Sequence, residues 1–256
     1  NKQDKKEEKS QVPVFEENEP NPYYDSTFDK DESILGQRPI QQVSFEGISL
    51  EGKKNSEGEY CGRGSMTDDT AIQESVFTRK GTERIIRYAF EYAKRNNLSN
   101  VLSATKSNAL NYSMVFWDKI FDEVRAKYAD IKSAQMHIDA LAGYFIMHPE
   151  RLEVVVASNL FGDILTDLGS AMLGSIGISP SGNINPEGKY PSMFEPIHGS
   201  APDIAGKGIA NPIATILSAA MMLRFSFDLD KEAEAVEEAV RQVLKDGYRT
   251  VDIMAE

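Results

Sequence analysis

The chain has 256 residues, 41% of them hydrophobic, and its 28 basic against 40 acidic residues leave a net charge of −12. That length can bury a substantial core, while the negative balance argues against non-specific binding to nucleic acid or anionic membranes, whose phosphates need a positive partner. No run nears the roughly 18 to 20 apolar residues of a membrane helix, and the opening NKQDKKEEKS lacks a signal peptide's apolar run. A single cysteine, Cys61, excludes an intrachain disulfide framework, so a cytoplasmic protein of a reducing compartment is expected.

Residues 1–32 hold ten acidic residues and five lysines, with Pro13, Pro20 and Pro22 among scattered apolar positions. So little apolar surface does not offset the entropy of ordering, and residues 1–45 are expected to be an acidic disordered tail or a docking arm. From residue 70 helical and strand patterns alternate. GTERIIRYAFEYAKRNN (81–97) carries Ile85, Ile86, Ala89, Phe90 and Ala93 at helical spacing, and NVLSATK (100–106) reads as a strand. SMVFWDKIFDEVRAKY (113–128) predicts an amphipathic helix with Trp117, Ile120, Phe121 and Val124 on one stripe. KSAQMHID (132–139) predicts a strand, and ALAGYFIMH (140–148) a short helix stopped by Pro149. LEVVVAS (152–158) is a β-branched run typical of a buried strand, followed by a helix over 159–173. A Gly/Ser/Pro/Asn-rich stretch separates these from two further helices, 209–224 and 230–245. The alternation predicts an α/β fold.

Asp163 and Asp167 stand four residues apart in LFGDILTDLG, so a helix puts both carboxylates on one face. They form either a solvated acidic face or a chelating pair for a hard divalent cation, to which Asp139 could add a third oxygen. Lys106, at the end of a strand, is either a base in a cleft or a charged strand cap. Tyr60 is a proton donor or an ordinary loop residue. HGSAPDIAGKGIANP (198–212) is a loop rich in small residues, whose Asp203 could accept hydrogen bonds from a ribose diol. His137, His148 and His198 fit no zinc spacing, and no GxxxxGK[ST] phosphate loop occurs.

Taken in order, NSEGEY, SATKSN, HIDALA, SNLFGDILTDLGS and FEPIHGSAPDIAGKGIANPIA carry a resemblance. Over residues 46–252 the chain resembles the β-decarboxylating dehydrogenases, the isocitrate/isopropylmalate dehydrogenase family, and within it the tartrate/D-malate dehydrogenase branch. The resemblance implies an α/β, isopropylmalate dehydrogenase-like two-domain fold that is N-terminally incomplete. Residues 46–174 would be the central dimerisation, metal and substrate domain, and 175–256 the C-terminal part of the cofactor-binding domain.

It also implies NAD-dependent oxidative decarboxylation of a 2-hydroxy dicarboxylate such as D-malate, tartrate or 3-isopropylmalate, with Mn²⁺ or Mg²⁺. By resemblance, Asp139, Asp163 and Asp167 match metal ligands, Lys106 the general base and Tyr60 the acid that protonates the enol. Asn108 matches a residue near the nicotinamide; His198, Gly199, Ser200, Ala201, Pro202, Asp203 and Asn211 match the adenosine loop, where an aspartate favours NAD over NADP. Lys53 takes the place of a substrate-binding arginine, keeping the charge without the bidentate fork. The resemblance implies a homodimer in which Lys106 and Asp139 reach the neighbouring site. Its opening Gly-rich strand-loop is not recognisable in residues 1–45, which leaves a homologue that dimerises or binds NAD or metal without catalysis as the alternative.

Overall fold

A three-stranded parallel sheet in the order β5-β4-β6 organises the first half of the molecule, formed by β4 (Asn100–Thr105), β5 (Lys132–His137) and β6 (Val154–Val156). The structure is a computed structural model that describes residues 57–254 and the backbone of Gln42–Ser44. The described residues belong to one unit, Ile40–Glu256.

Val101–Thr105 of β4 are all buried, as a central parallel strand covered on both faces requires. Helix α1 (Arg79–Arg95) packs Ile86, Ala89, Phe90 and Ala93 inward, and α2 (Ser113–Arg125) packs Met114, Trp117, Ile120, Phe121 and Val124. These side chains meet Leu141 and Phe145 of α3 (Ile138–Met147) and Phe161 and Leu165 of α4 (Asn159–Met172) in one core. The Trp117 indole donates from Nε1 to the buried Ser103 Oγ at 2.9 Å, so its one polar atom is satisfied.

Helix α1 begins two residues before the predicted start because the Thr78 hydroxyl accepts from Gly81 N at 3.1 Å. It ends at Arg95, ahead of Asn97 in the left-handed region. Strand β5 stops at His137, so Asp139 lies in the first turn of α3 and not at the end of the strand.

The Gly/Ser/Pro/Asn-rich stretch contains a strand that local propensity does not announce. Strand β7 (Pro180–Asn183) pairs antiparallel with β8 (Met193–Pro196) and parallel with β1 (Gln42–Ser44). Gly182 faces Phe194 so closely that a Cβ would sit 2.8 Å from the ring, so only glycine lets the two strands approach with that aromatic between them. Helix α5 (Ile213–Phe227) packs on both strands and on α6 (Asp230–Lys245), supplying burial that offsets poor β-propensity. A hairpin of β2 (Gly64–Met66) and β3 (Ala71–Gln73) was also not foreseen; all six of its residues are exposed. Of residues 1–45, expected to be a tail, only the strand Gln42–Ser44 lies among the described residues. No helix of the described residues is long and apolar enough to cross a membrane.

Candidate active site

The carboxyl ends of parallel strands collect backbone groups and helix starts, and open α/β sheets bind ligands there. Here that edge carries Lys106 directly after β4, Asp139 in the first turn after β5, and Ser158 as N-cap of the helix after β6. Lys106 Nζ lies 2.8 Å from Asp139 Oδ2; the lysine side chain is 25% exposed and the carboxylate 67%. The hydrogen bond from Lys106 holds the Asp139 carboxyl below its ordinary range.

Asp163 and Asp167 project one turn apart from the exposed face of α4, whose opposite face buries Phe161 and Leu165. Neither carboxylate has an ion pair among the described residues, although Tyr60 Oη donates to Asp163 Oδ2 at 3.4 Å. Two hard oxygen donors with no ion-paired cationic side chain among the described residues fit a divalent ion that takes its remaining ligands from elsewhere. Within one chain, no cluster of three or more metal-ligating side chains forms among the described residues. Thus Lys106 meets Asp139, and Tyr60 meets Asp163, while the three expected ligands do not assemble in a single copy. Lys53 lies outside the described residues.

Asn108 is exposed in the turn closed by Ala109 N and Leu110 N on Lys106 O, at 3.0 and 2.8 Å. In the loop after β8, His198 Nδ1 hydrogen-bonds the Gly199 carbonyl at 2.9 Å, and a carbonyl only accepts, so that nitrogen carries the proton. Gly199 and Ser200 are exposed, Ala201 adopts φ 44°, and Pro202–Ile204 form a short 3₁₀ turn that presents Asp203 to solvent. Gly206 and Gly208, at φ +76° and +66°, carry the turn a non-glycine residue would strain.

Asn211 has an internal role the sequence reading missed. Its Nδ2 donates to Asp252 Oδ2 at 3.0 Å, and its Oδ1 accepts from the N–H of Ile213, the first residue of α5, at 3.0 Å. Asp252 also accepts from Ser175 Oγ at 2.5 Å. Asn211, and with it the adenosine-loop candidate, is therefore tied to Asp252 in the Val251–Ile253 turn, 41 positions away, and Asp252 is held in turn by Ser175, three residues past the end of α4 and 77 positions from it. Burial pushes the Asp252 carboxyl up, but its hydrogen bonds, that from Ser175 foremost, outweigh burial and leave it below its ordinary 3.8. A carboxyl depressed in the folded state adds stability that is present above the unfolded pKa and disappears as pH falls through the folded one. Asp252→Asn is accordingly expected to unfold earlier than the parent at neutral pH and to converge with it as pH falls below the range where that carboxyl is ionised. Thermal unfolding across that range checks it; a gap that persists undiminished in acid would contradict it.

The sequence pattern described as isocitrate/isopropylmalate dehydrogenase matches residues 38–256. The chain is 54% identical over 205 residues to the protein named "Probable tartrate dehydrogenase/decarboxylase" of Bacillus subtilis (strain 168), covering 78% of this chain and 57% of that protein. It is 50% identical over 210 residues to "D-malate dehydrogenase [decarboxylating]" of Escherichia coli (strain K12), covering 78% and 58%. The chain thus spans less than two thirds of the length of either relative. The crystal structure of isocitrate dehydrogenase from Methylococcus capsulatus superposes with a TM-score of 0.73 at 39% identity, over 82% of this chain and 65% of that one. On the pattern match and these identities, the chain belongs to the isocitrate/isopropylmalate dehydrogenase family.

Proposed function

We propose that the chain is an NAD-dependent decarboxylating dehydrogenase of 2-hydroxy dicarboxylates of the D-malate or tartrate type, requiring Mn²⁺ or Mg²⁺. The contact that carries the reading is Lys106 Nζ, directly after β4, at 2.8 Å from Asp139 Oδ2 in the first turn of α3. The relatives named for tartrate and D-malate support the substrate type.

Asp163, Asp167 and Asp139 would hold the divalent cation, which when bound would supply Lewis acidity at the substrate's C2 oxygen, while bound NAD would supply the hydride acceptor. Lys106 would take the C2 hydroxyl proton, and Tyr60, already bonded to Asp163, would protonate the enol. Asp203 would accept from the adenosine ribose, and its charge would repel the 2′-phosphate of NADP. In this reading residues 46–174 carry the metal and base groups, and 175–256 the adenosine loop.

The reading requires two copies, each site taking the partner subunit's Lys106 and Asp139 beside its own Asp163 and Asp167. The exposed hairpin supports this: Met66 is 83% and Ile72 56% exposed on two three-residue strands. Such a ribbon is marginal in water without a surface to cover it.

The test measures NADH formation from D-malate, tartrate and 3-isopropylmalate with Mn²⁺, together with mass by light scattering. Turnover of D-malate or tartrate by a dimer is expected; no turnover from a folded dimer overturns the reading. Asp163→Asn should abolish the rise in unfolding temperature with Mn²⁺, and a rise that survives removes Asp163 from the ligand set.

A further inference from the structure

Glu59 directly precedes Tyr60, and its carboxylate is withdrawn from solvent. One oxygen accepts from Ser158 Oγ at 2.5 Å, and the other is buried with no partner among the described residues. Burying a carboxylate so incompletely satisfied is costly, and the surrounding geometry indicates what the arrangement does.

Ser158 is the N-cap of α4, with the extended backbone from which a serine hydroxyl usually accepts the helix's first N–H groups. It makes no such bond, and its proton goes to Glu59 instead. The glutamate thereby sits at the end of α4 where the helix dipole favours a negative group. Tyr60 then reaches Asp163 on the second turn of the same helix. Two consecutive loop residues so grip one helix at two points, while Gly58 pairs with Val76 and Cys61 Sγ bonds Glu74 O on the loop's other side. The Tyr60–Asp163 bond, at 3.4 Å, is long for O–H···O, so a small slip of the loop would break it.

We propose that Glu59 is a positioning residue: its bond to Ser158 locks the loop onto the head of α4 and sets the Tyr60 phenol against Asp163. The proposal rests on the roles given to Tyr60 and Asp163 above, and Glu59 acts only through Tyr60.

The test uses the whole chain with 3-fluorotyrosine at position 60. Ser158→Ala and Glu59→Ala should shift or broaden the fluorine resonance of residue 60, with the helical circular-dichroism signal of the parent retained at 25 °C. Glu59→Gln keeps an acceptor oxygen at the same reach and should restore the parent resonance. Under the proposed function, Ser158→Ala should lower kcat about tenfold with KM nearly unchanged. That loss should vanish in a Tyr60→Phe background, because the two changes then remove the same contribution. An unmoved resonance in folded Ser158→Ala, or an equal loss of kcat with Tyr60 already replaced, overturns the proposal. Should Glu59→Ala fail to fold, Ser158→Ala removes the same bond from the other side. If the parent oxidises none of the three acids, the proposed function falls, and the fluorine spectrum alone decides the positioning of Tyr60.

Discussion

Replacing Lys106 by methionine is expected to lower kcat by about 10²–10⁴-fold, the usual contribution of a positioned acid–base group. Methionine keeps the apolar stem and removes only the ammonium, so the end of β4 retains its packing. The effect should fall on kcat more than on KM, since the group serves the transition state and not the bound substrate. The substitution also frees Asp139 from the hydrogen bond that chiefly holds its carboxyl low, and that carboxyl should rise towards its ordinary range. Because Asp139 is well exposed, the release should barely change the unfolding temperature. Steady-state kinetics and thermal unfolding together check this. A folded variant with the parent's kcat would remove Lys106 from the chemistry.

Trp117→Ala should cost about 3–5 kcal/mol of stability, the range for truncating a buried aromatic side chain. The indole is 2% exposed in the centre of the core, edge-on to Phe77 at a centroid distance of 6.2 Å. Its loss opens a cavity beneath α2 and strands the buried Ser103 hydroxyl, which has the indole as its donor. Trp117→Phe refills most of that space without the hydrogen bond and should recover more than half of the loss. Urea midpoints of the three chains measure the order; a small loss for Trp117→Ala would mean the core collapses around the gap.

Helices α1, α2 and α4 were legible because burial of one face imposes a 3.6-residue period on the chain itself. The same period placed Asp163 and Asp167 on one face, and the apolar run before Lys106 placed that lysine at a strand end. Residue types in sequence therefore carried the fold class and most of the candidate groups. Family resemblance, not spacing, supplied their roles.

Other features depend on pairings between distant segments. Strand β7 reads PSGN, a poor strand by composition, and exists because Phe194 and α5 cover it. The fully exposed β2–β3 hairpin shows no buried face from which a period of two could arise. Asp139 moved from a strand end into a helix because β5 stops where its pairing with β4 stops, at Thr105 and His137. Glu59 gave no signal beyond its place in NSEGEY, since its partner Ser158 is 99 residues away. Asn211 likewise disclosed nothing of Asp252. By itself the sequence determined the periodic elements, the acidic balance and the inventory of reactive side chains, all of which are local properties of the chain. Only tertiary structure decided which carboxylate meets which donor, because a hydrogen bond depends on atoms a few ångströms apart in space and not on their separation along the chain.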